Sequence, residues 1–589
     1  SARTHRQTLI FGRFSMKHLL PLLAFLLAHP LAAQEATSPS PASGETSQAA
    51  AEPTLQVHGS LRTDALVPQY DERIGTERTD NRVLSNSYLD LRLSFRRRYE
   101  AGLRAEYMKQ PLPGFDPAFR GAGVPYFYAT ARFDRAEITL GSYYEQLGSG
   151  LVLRTYEEPS LGIDNHLRGL RLTARPFDRL RLKLLAGRQR NYWETDASTI
   201  YGADGEWEVP TRRGRLTLGA SWVARREQPD ALSRIDTTGF SQTFTLRRFN
   251  LVQPVTVSAF DLRAAWHTRR WQWLAEYAWK GQDPSFDNGY TYGHGSALLL
   301  SGSWSTRGKS FLLQIKRAEN MSFRGRRAAS LSASTLNHLP PFAAQPTYAL
   351  TALYPYATCN VPGEWAFRAE AAWTLPRRTP WGGRYGTTLR LRAAHIRDLA
   401  LADGPEGAEA MGTDGRRARN FWAMGGTRYG EWALDAERRL NRSLRLHATL
   451  LAQTINRTAV EGHGGHVNTF VGILETQWQA GAETALRAEA QYLHTRQDQG
   501  DWWAGLLEWS VSSHFMFTLS DQFNARVPSS ARGTTSSVHY WQAFATYTAT
   551  RHRLQLGYGS TRAGYNCAGG VCRYVPAQKG FTLSYQLRF

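Results

Sequence analysis

From Leu55 onward the chain is written in segments of ten to fourteen residues that alternate strictly between apolar and polar positions. A period of two marks a β-strand whose faces meet different surroundings. The last segment puts Phe581, Leu583, Tyr585, Leu587 and Phe589 on one face and Thr582, Ser584, Gln586 and Arg588 on the other. The same alternation sets Leu170/Leu172/Ala174 against Arg171/Thr173/Arg175, and Leu389/Leu391/Ala393 against Arg390/Arg392. Short turns rich in charge or glycine separate one pair of strands, among them Arg97-Arg98, Asp134-Arg135, Asp178-Arg179, Arg269-Arg270, Arg307-Gly308 and Arg551-His552. Longer polar connections near 67–82, 110–123, 149–165, 227–255, 319–345, 398–425 and 562–576 separate the next.

Short turns at one end and long loops at the other are the pattern of a bacterial outer-membrane barrel. In hydrocarbon every backbone N–H and C=O must be paired, and only a closed sheet has no edge. The expected fold is therefore all-β: a transmembrane antiparallel β-barrel of about 24 strands, with 22 to 26 also compatible, built as a single domain over residues 55–589. A soluble β-sandwich would alternate too, but in a smaller domain. An even strand count places short turns and both termini in the periplasm and the long loops outside the cell. The terminal aromatic Phe589 fits the last-strand signal for membrane insertion. Trp193, Trp271, Trp273, Trp373, Trp432 and Trp478 are candidates for the aromatic girdles.

Composition sharpens this picture by exclusion. The net charge is +21, which would suggest nucleic acid, yet the 64 arginines and 7 lysines are spread along the whole chain. Nucleic acid is thereby excluded as a partner. Mean hydropathy is −0.45 and, past residue 33, no run reaches the roughly 20 apolar residues of a membrane helix. Eighteen Trp, 26 Tyr and 26 Phe exclude a disordered chain. Met16-Lys17-His18, a leucine-rich core and Ala32-Ala33 have the layout of a secretory signal peptide. Residues 1–33 are then an upstream extension plus signal peptide with its start at Met16, and residues 34–54 a flexible leader.

Parity assigns a charged lumen: Arg92, Arg104, Glu106, Arg132, Arg171, Arg175, Arg181, Lys183, Asp261, Arg263, Arg368, Glu370, Arg390, Arg392, Asp435, Glu437, Arg487 and Glu489. Two readings follow. Either the excess of arginine lines a pore or chamber for anions, or arginine–carboxylate ladders stiffen a wide wall. A 22-strand barrel already needs a plug. The leader is too short to be a folded plug domain, so infolded loops, 227–255, 319–345 and 398–425 being the longest, or another protein must close the lumen.

Gly141-Ser-Tyr-Tyr-Glu-Gln-Leu-Gly-Ser-Gly-Leu151 is followed by Arg154-Thr155-Tyr156 and Gly162-Ile163-Asp164-Asn165. Further on come Tyr354-Pro-Tyr-Ala-Thr358, Gly363-Glu364 and Cys567-Ala-Gly-Gly-Val-Cys572 before Pro576 and Gly580. On these motifs the chain resembles an uncharacterised family, a domain of unknown function, of Bacteroidota outer-membrane β-barrel proteins. The resemblance implies the barrel and the phylum and brings no activity with it.

Candidate chemistry is sparse. Cys567 and Cys572, close together in an extracellular loop, are expected to form a disulfide, leaving Cys359 over. Glu461, His463 and His466 could hold a metal, but a glycine-rich surface loop explains them as well, and neither a metal nor a cofactor is expected. Tyr143, Tyr144 and Glu145 precede a glycine-rich segment that either lines a site or bends the strand. There is no G-x-S-x-G elbow and no triad that parity would assemble, so no catalytic residue is assigned. The expected function is a non-enzymatic subunit of a larger outer-membrane assembly for export, uptake or barrel insertion, with a loop-filled lumen. The alternative is a passive or gated channel for polar, preferably anionic, solutes. Expected partners are outer-membrane lipid and lipopolysaccharide, the barrel-assembly machinery during biogenesis, and other outer-membrane barrels or lipoproteins.

Overall fold

The computed structural model describes residues 55–229, 233–238, 245–526 and 538–589. The expected signal peptide starting at Met16 and the expected leader to residue 54 lie outside the described residues. The wall begins with β1 (Leu55–Pro68), β2 (Leu84–Phe95), β3 (Tyr99–Gln110), β4 (Gly121–Arg132), β5 (Ala136–Tyr143), β6 (Leu167–Phe177), β7 (Leu180–Asn191) and β8 (Thr199–Thr211). It continues with β9 (Gly214–Arg226), β10 (Thr256–Thr268), β11 (Trp271–Lys280), β12 (Gly295–Thr306), β13 (Lys309–Glu319), β14 (Gly363–Leu375), β15 (Thr387–Leu399) and β16 (Met424–Arg439). The last eight are β17 (Leu444–Asn456), β18 (His466–Gln479), β19 (Ala485–His494), β20 (Asp501–Ser510), β21 (Phe515–Arg526), β22 (Gln542–Thr548), β23 (His552–Thr561) and β24 (Gln578–Arg588).

Each strand pairs antiparallel with its successor, and β24 returns to β1 from Ser60 opposite Arg588 to Pro68 opposite Gly580. The result is a closed barrel of 24 strands. At the seam the Phe589 carbonyl accepts from the Gly59 N–H at 2.7 Å and the Phe589 N–H donates back at 2.9 Å. The Phe589 ring covers Gly59 so closely that no Cβ would fit there.

The even count puts both ends of the wall beside the short turns. Eleven connections on that side run two to eleven residues, and the twelve on the opposite side run six to forty-three. Outward-facing apolar side chains are open to the surroundings along the whole wall, for example Leu184, Leu262, Leu450, Leu519 and Leu556. A surface of this kind is stable only against lipid. Trp271, Trp273, Trp373 and Trp478 are exposed near the short-turn ends of their strands. The other two tryptophans depart from the girdle expectation. Trp193 packs against Gly121 and Gly123, and Trp432 is exposed at mid-strand between Ala393 and Ala452.

The inward face is polar near the short turns and becomes apolar towards the long loops. There Leu185, Ile200, Val223, Val257, Ile396, Ile455, Val467 and Leu493 form one buried cluster with residues from two infolded connections.

Candidate functional site

Those two connections decide what the lumen can do. Residues 144–166 join β5 to β6, and residues 320–362 join β13 to β14. Neither projects outward. The first strap buries Leu147, Leu151, Val152, Leu153 and Ile163, and the second buries Met321, Phe323, Leu336, Phe342, Leu350 and Tyr354. The straps also pair with each other. Arg154 N–H donates to the Leu336 carbonyl at 2.7 Å, His338 N–H to Gly150 O at 2.9 Å, and the Asn165 amide to Thr335 O at 2.8 Å.

Infolding follows from composition. Between Arg327 and Glu364 the chain has no Asp, Glu, Lys or Arg, so a segment of that length has little to gain from water. It carries Leu336, Leu339, Phe342, Leu350, Leu353, Tyr354 and Tyr356, all buried. This differs from the expected closure in two respects. The segment 144–166 fills the lumen, although nothing in its length suggested it. Residues 400–423 instead cover the outer rim, where the Phe421 carbonyl accepts from Arg317 and Phe421 and Trp422 pack on Trp365. Parts of 227–255 lie outside the described residues.

Backbone groups of the straps must find partners once water is removed, and wall side chains supply them from several directions. Glu276 on β11 accepts the Ser149 N–H at 3.0 Å and also the Ser149 hydroxyl. Gly148 lies at φ 54, and a Cβ there would stand 2.6 Å from Glu276 Oε1. Gln491 on β19 accepts the Leu350 N–H at 2.9 Å, the Gln453 amide on β17 donates to Tyr354 O at 2.8 Å, and Glu431 on β16 accepts the Ala344 N–H at 2.8 Å. The second strap thus starts at β13 and is fastened to β16, β17 and β19. It crosses the lumen.

Charged clamps add to this. Lys316 on β13 pairs with Glu364 on β14 at 2.8 Å and donates to Pro340 O at 2.7 Å. Asp283 accepts from Arg225 at 2.6 Å and from Lys280 at 3.2 Å, and Lys280 also donates to the Ser322 carbonyl. All three charges are buried. Burial alone would raise the Asp283 carboxyl, but Arg225 and Lys280 hold it below the usual carboxylate range. Asp164 in the first strap accepts from His166 at 2.9 Å and from Arg190 at 2.5 Å, and its carboxyl is likewise held low against the effect of burial. Beyond the straps, the Cys567–Cys572 disulfide closes a hairpin of Gly564–Ala568 with Val571–Val575. The hairpin holds the second strap through Thr358 N–H to Gly570 O at 3.0 Å. Cys359 is free.

The charged residues that parity assigns to the lumen pair with one another and with neighbouring acids in ladders. Arg104 reaches Asp90 at 2.7 Å and Glu157 at 2.9 Å; Glu106 pairs with Arg190 at 2.7 Å. Arg132 meets Glu100 and Glu137 at 3.1 and 3.0 Å, Arg171 meets Glu137 at 2.5 Å, Lys183 meets Glu145 at 2.6 Å, and Arg181 meets Glu206 at 2.5 Å. Arg263 gathers Asp261 at 2.9 Å, Glu206 at 2.9 Å and Asp204 at 2.5 Å. Across the barrel Glu370 lies between Arg368 at 3.3 Å and Arg390 at 3.4 Å, Arg392 pairs with Asp435 at 2.9 Å, and Arg445 with Glu437 at 3.4 Å. Arg487 bridges Glu475, Glu489 and Glu508 at 2.7–3.0 Å. Arg92, 3.5 Å from Glu100, and Arg175 are exposed near the short-turn end. Periodicity does not single out Glu276 or Lys280, whose settings are completed by Ser149 and Ser322 of the straps, nor Asp283, which lies in the connection between β11 and β12.

Below the straps a cavity of about 540 Å³ is lined by His58, Asp90, Arg92, Arg104, Tyr126 and Tyr128. In the loop between β17 and β18, Glu461 is tied to Arg457 at 2.7 Å. Among the described residues no group of three or more His, Cys, Asp or Glu is placed to share a metal ion.

The model of a family of unknown function, DUF6029, matches residues 16–589. The chain belongs to that family. No curated protein matches this DUF6029 chain. Solved structures similar to it include the siderophore receptor PirA from Pseudomonas aeruginosa, at 11% identity over 91% of this chain and 80% of that one, with a TM-score of 0.38. The translocation pore of the P pilus usher PapC is similar at 10% identity over 90% of this chain and 99% of that one, with a TM-score of 0.41. The outer membrane transporter YddB from Escherichia coli is similar at 10% identity over 90% and 80%, with a TM-score of 0.37. At such identities the likeness is one of fold.

Proposed function

We propose that the protein is a non-enzymatic barrel of the bacterial outer membrane that serves as a closed-lumen subunit of a larger envelope assembly. The observation that supports this reading is the fastening of both straps to several strands of the wall by buried side chains on β9, β11, β13 and β19. Such a lumen has no standing route for a polar solute, which leaves the rims and the outer surface to carry function. On this reading the signal peptide is removed during export, and the short turns and both termini face the periplasm. The Bacteroidota origin implied by the motifs belongs to the same reading. So do its partners: membrane lipid and lipopolysaccharide, the barrel-assembly machinery during biogenesis, and neighbouring barrels or lipoproteins.

Extraction in mild detergent, followed by cross-linking and mass spectrometry, tests it. A stoichiometric complex with other envelope proteins is expected, together with electrical silence of the purified barrel in planar bilayers. Recovery only as a monomer, or a standing conductance, would overturn the reading. A gated channel for anionic solutes is the second reading, favoured by Arg92, Arg175 and Arg390, exposed on the inner wall of the short-turn half. It requires conductance that opens when the straps are released by a physiological stimulus.

A further inference from the structure

The two ends of the wall differ sharply in charge. The eleven short turns contain 41 residues in all, with fifteen arginines, no lysine and three carboxylates (Asp134, Asp178 and Glu483), a balance of +12. The twelve long connections contain 211 residues, with nineteen arginines and twenty-two carboxylates, a balance of −3. All fifteen short-turn arginines are exposed. Two of the three acids are already engaged, Asp134 with Arg98 at 3.9 Å and Asp178 with Arg135 at 3.3 Å.

Placement narrows the partner. Nine of the eleven short turns carry arginine and the two that lack it are neighbours, so the charge runs round most of the circumference and does not mark one flank. Just inside this ring lie exposed aromatic side chains, among them Phe95, Phe177, Trp271 and Trp373. Aromatic residues of this kind settle at the boundary between hydrocarbon and headgroups, which puts the guanidinium groups at headgroup height. Arginine, with its planar fork of donors, matches phosphate oxygens two at a time. A docked protein would cover one arc of the ring, whereas a lipid leaflet touches the whole circumference at one level. We propose that this arginine collar binds the phosphates of anionic phospholipids in the leaflet on the short-turn side. The collar is an annular lipid site, and its excess positive charge selects anionic over zwitterionic headgroups.

The test uses the full chain in bilayer discs of phosphatidylcholine, alone or with one part in four of phosphatidylglycerol, followed by gentle release and mass spectrometry of retained lipid. Phosphatidylglycerol should be retained well above its share of the bilayer, and less so as salt rises. Each charge removed in the quadruple variant Arg212→Gln, Arg213→Gln, Arg269→Gln, Arg270→Gln should weaken retention about fivefold at its own position on the ring. The matching arginine-to-lysine variant should keep most of it. Equal retention of the two lipids, unchanged retention in the glutamine variant, or displacement by millimolar inorganic phosphate would overturn the proposal. So would an acidic protein held by these arginines with no lipid preference. If the glutamine variant does not fold, the salt dependence of the native chain and the lysine variant still decide.

Discussion

At the scale of single residues, the same ionic chemistry has very different weight according to depth. Asp283 compensates two buried cations, Arg225 and Lys280, and removing it leaves Lys280 without its ion-pair partner and Arg225 with only Glu227, 3.5 Å away. Asp283→Ala should therefore destabilise the native barrel by about 3–5 kcal/mol. Arg92→Gln breaks a 3.5 Å contact to Glu100 on an exposed side chain and should cost less than ~1 kcal/mol. Thermal unfolding followed by the heat-dependent shift of the folded band on gels compares the two; equal midpoints would contradict this account. His338 supplies a pH dependence. It is 7% exposed, and burial together with Arg154 and Lys316 pushes its imidazole down to about 3 from 6.5. Below pH 6.5 a released strap takes up a proton that the docked strap refuses until about 3, so docking weakens as pH falls through that window. The full effect amounts to ~4–5 kcal/mol across the window. The protection factors of amides around residues 330–345, with the intrinsic pH dependence of exchange divided out, should fall between pH 7 and 4.5 in the native protein. Carboxylates titrate there as well, so the diagnostic is a smaller response in His338→Asn. An identical response in both would exclude His338 as the cause.

At the scale of elements, alternation made the wall legible because a pleated strand between lipid and a polar interior has no other way to place its side chains. The segment ending at Phe589 and those around Arg171, Arg390 and Asp435 could be read residue by residue for this reason. The straps were not legible in that way. Leu151-Val152-Leu153 has no period, and its burial depends on side chains more than a hundred residues away, such as Glu276 and Asn337. The charge-free stretch between Arg327 and Glu364 was the one local sign of infolding. Length alone favoured the wrong partner in 400–423. The disulfide hairpin allows an element-scale prediction. Closing a loop of six residues restricts the unfolded hairpin by ~2 kcal/mol in the chain-entropy view. In Cys567→Ser/Cys572→Ser, amide protection should fall in 564–575 and around Thr358, which donates to Gly570. Strands β5 to β12 should be untouched. A loss of protection spread over the whole wall would mean that the hairpin holds more than the strap.

For the whole molecule, closure of the sheet and closure of the lumen are separable. Glu319 is already paired with Gly363, and Asn320 N–H donates to Pro362 O at 2.9 Å, so the second strap leaves and re-enters the wall at neighbouring strands. Tyr143 is paired with Leu167 at the base of the first strap in the same way. Both straps are insertions into complete hairpins, and the ladder that satisfies the backbone does not depend on them. Replacing residues 322–360 by a four-residue glycine-containing turn should leave a folded, heat-modifiable barrel, despite the loss of the apolar surface that the strap buries. The opened lumen should conduct, with anions favoured, because excising Arg324, Arg326 and Arg327 leaves the exposed Arg92, Arg175 and Arg390 along the path. Planar-bilayer recordings under a salt gradient measure both conductance and selectivity. Silence from the excised variant would show that the first strap and the wall side chains suffice to seal the lumen. Conductance from the native chain at the same level would show that the second strap is no seal, and with it the closed-lumen reading would fall. A cation preference in the excised variant would leave the closed lumen intact and refute the arginine-rich path of the gated-channel reading, so one pair of recordings separates the two proposals.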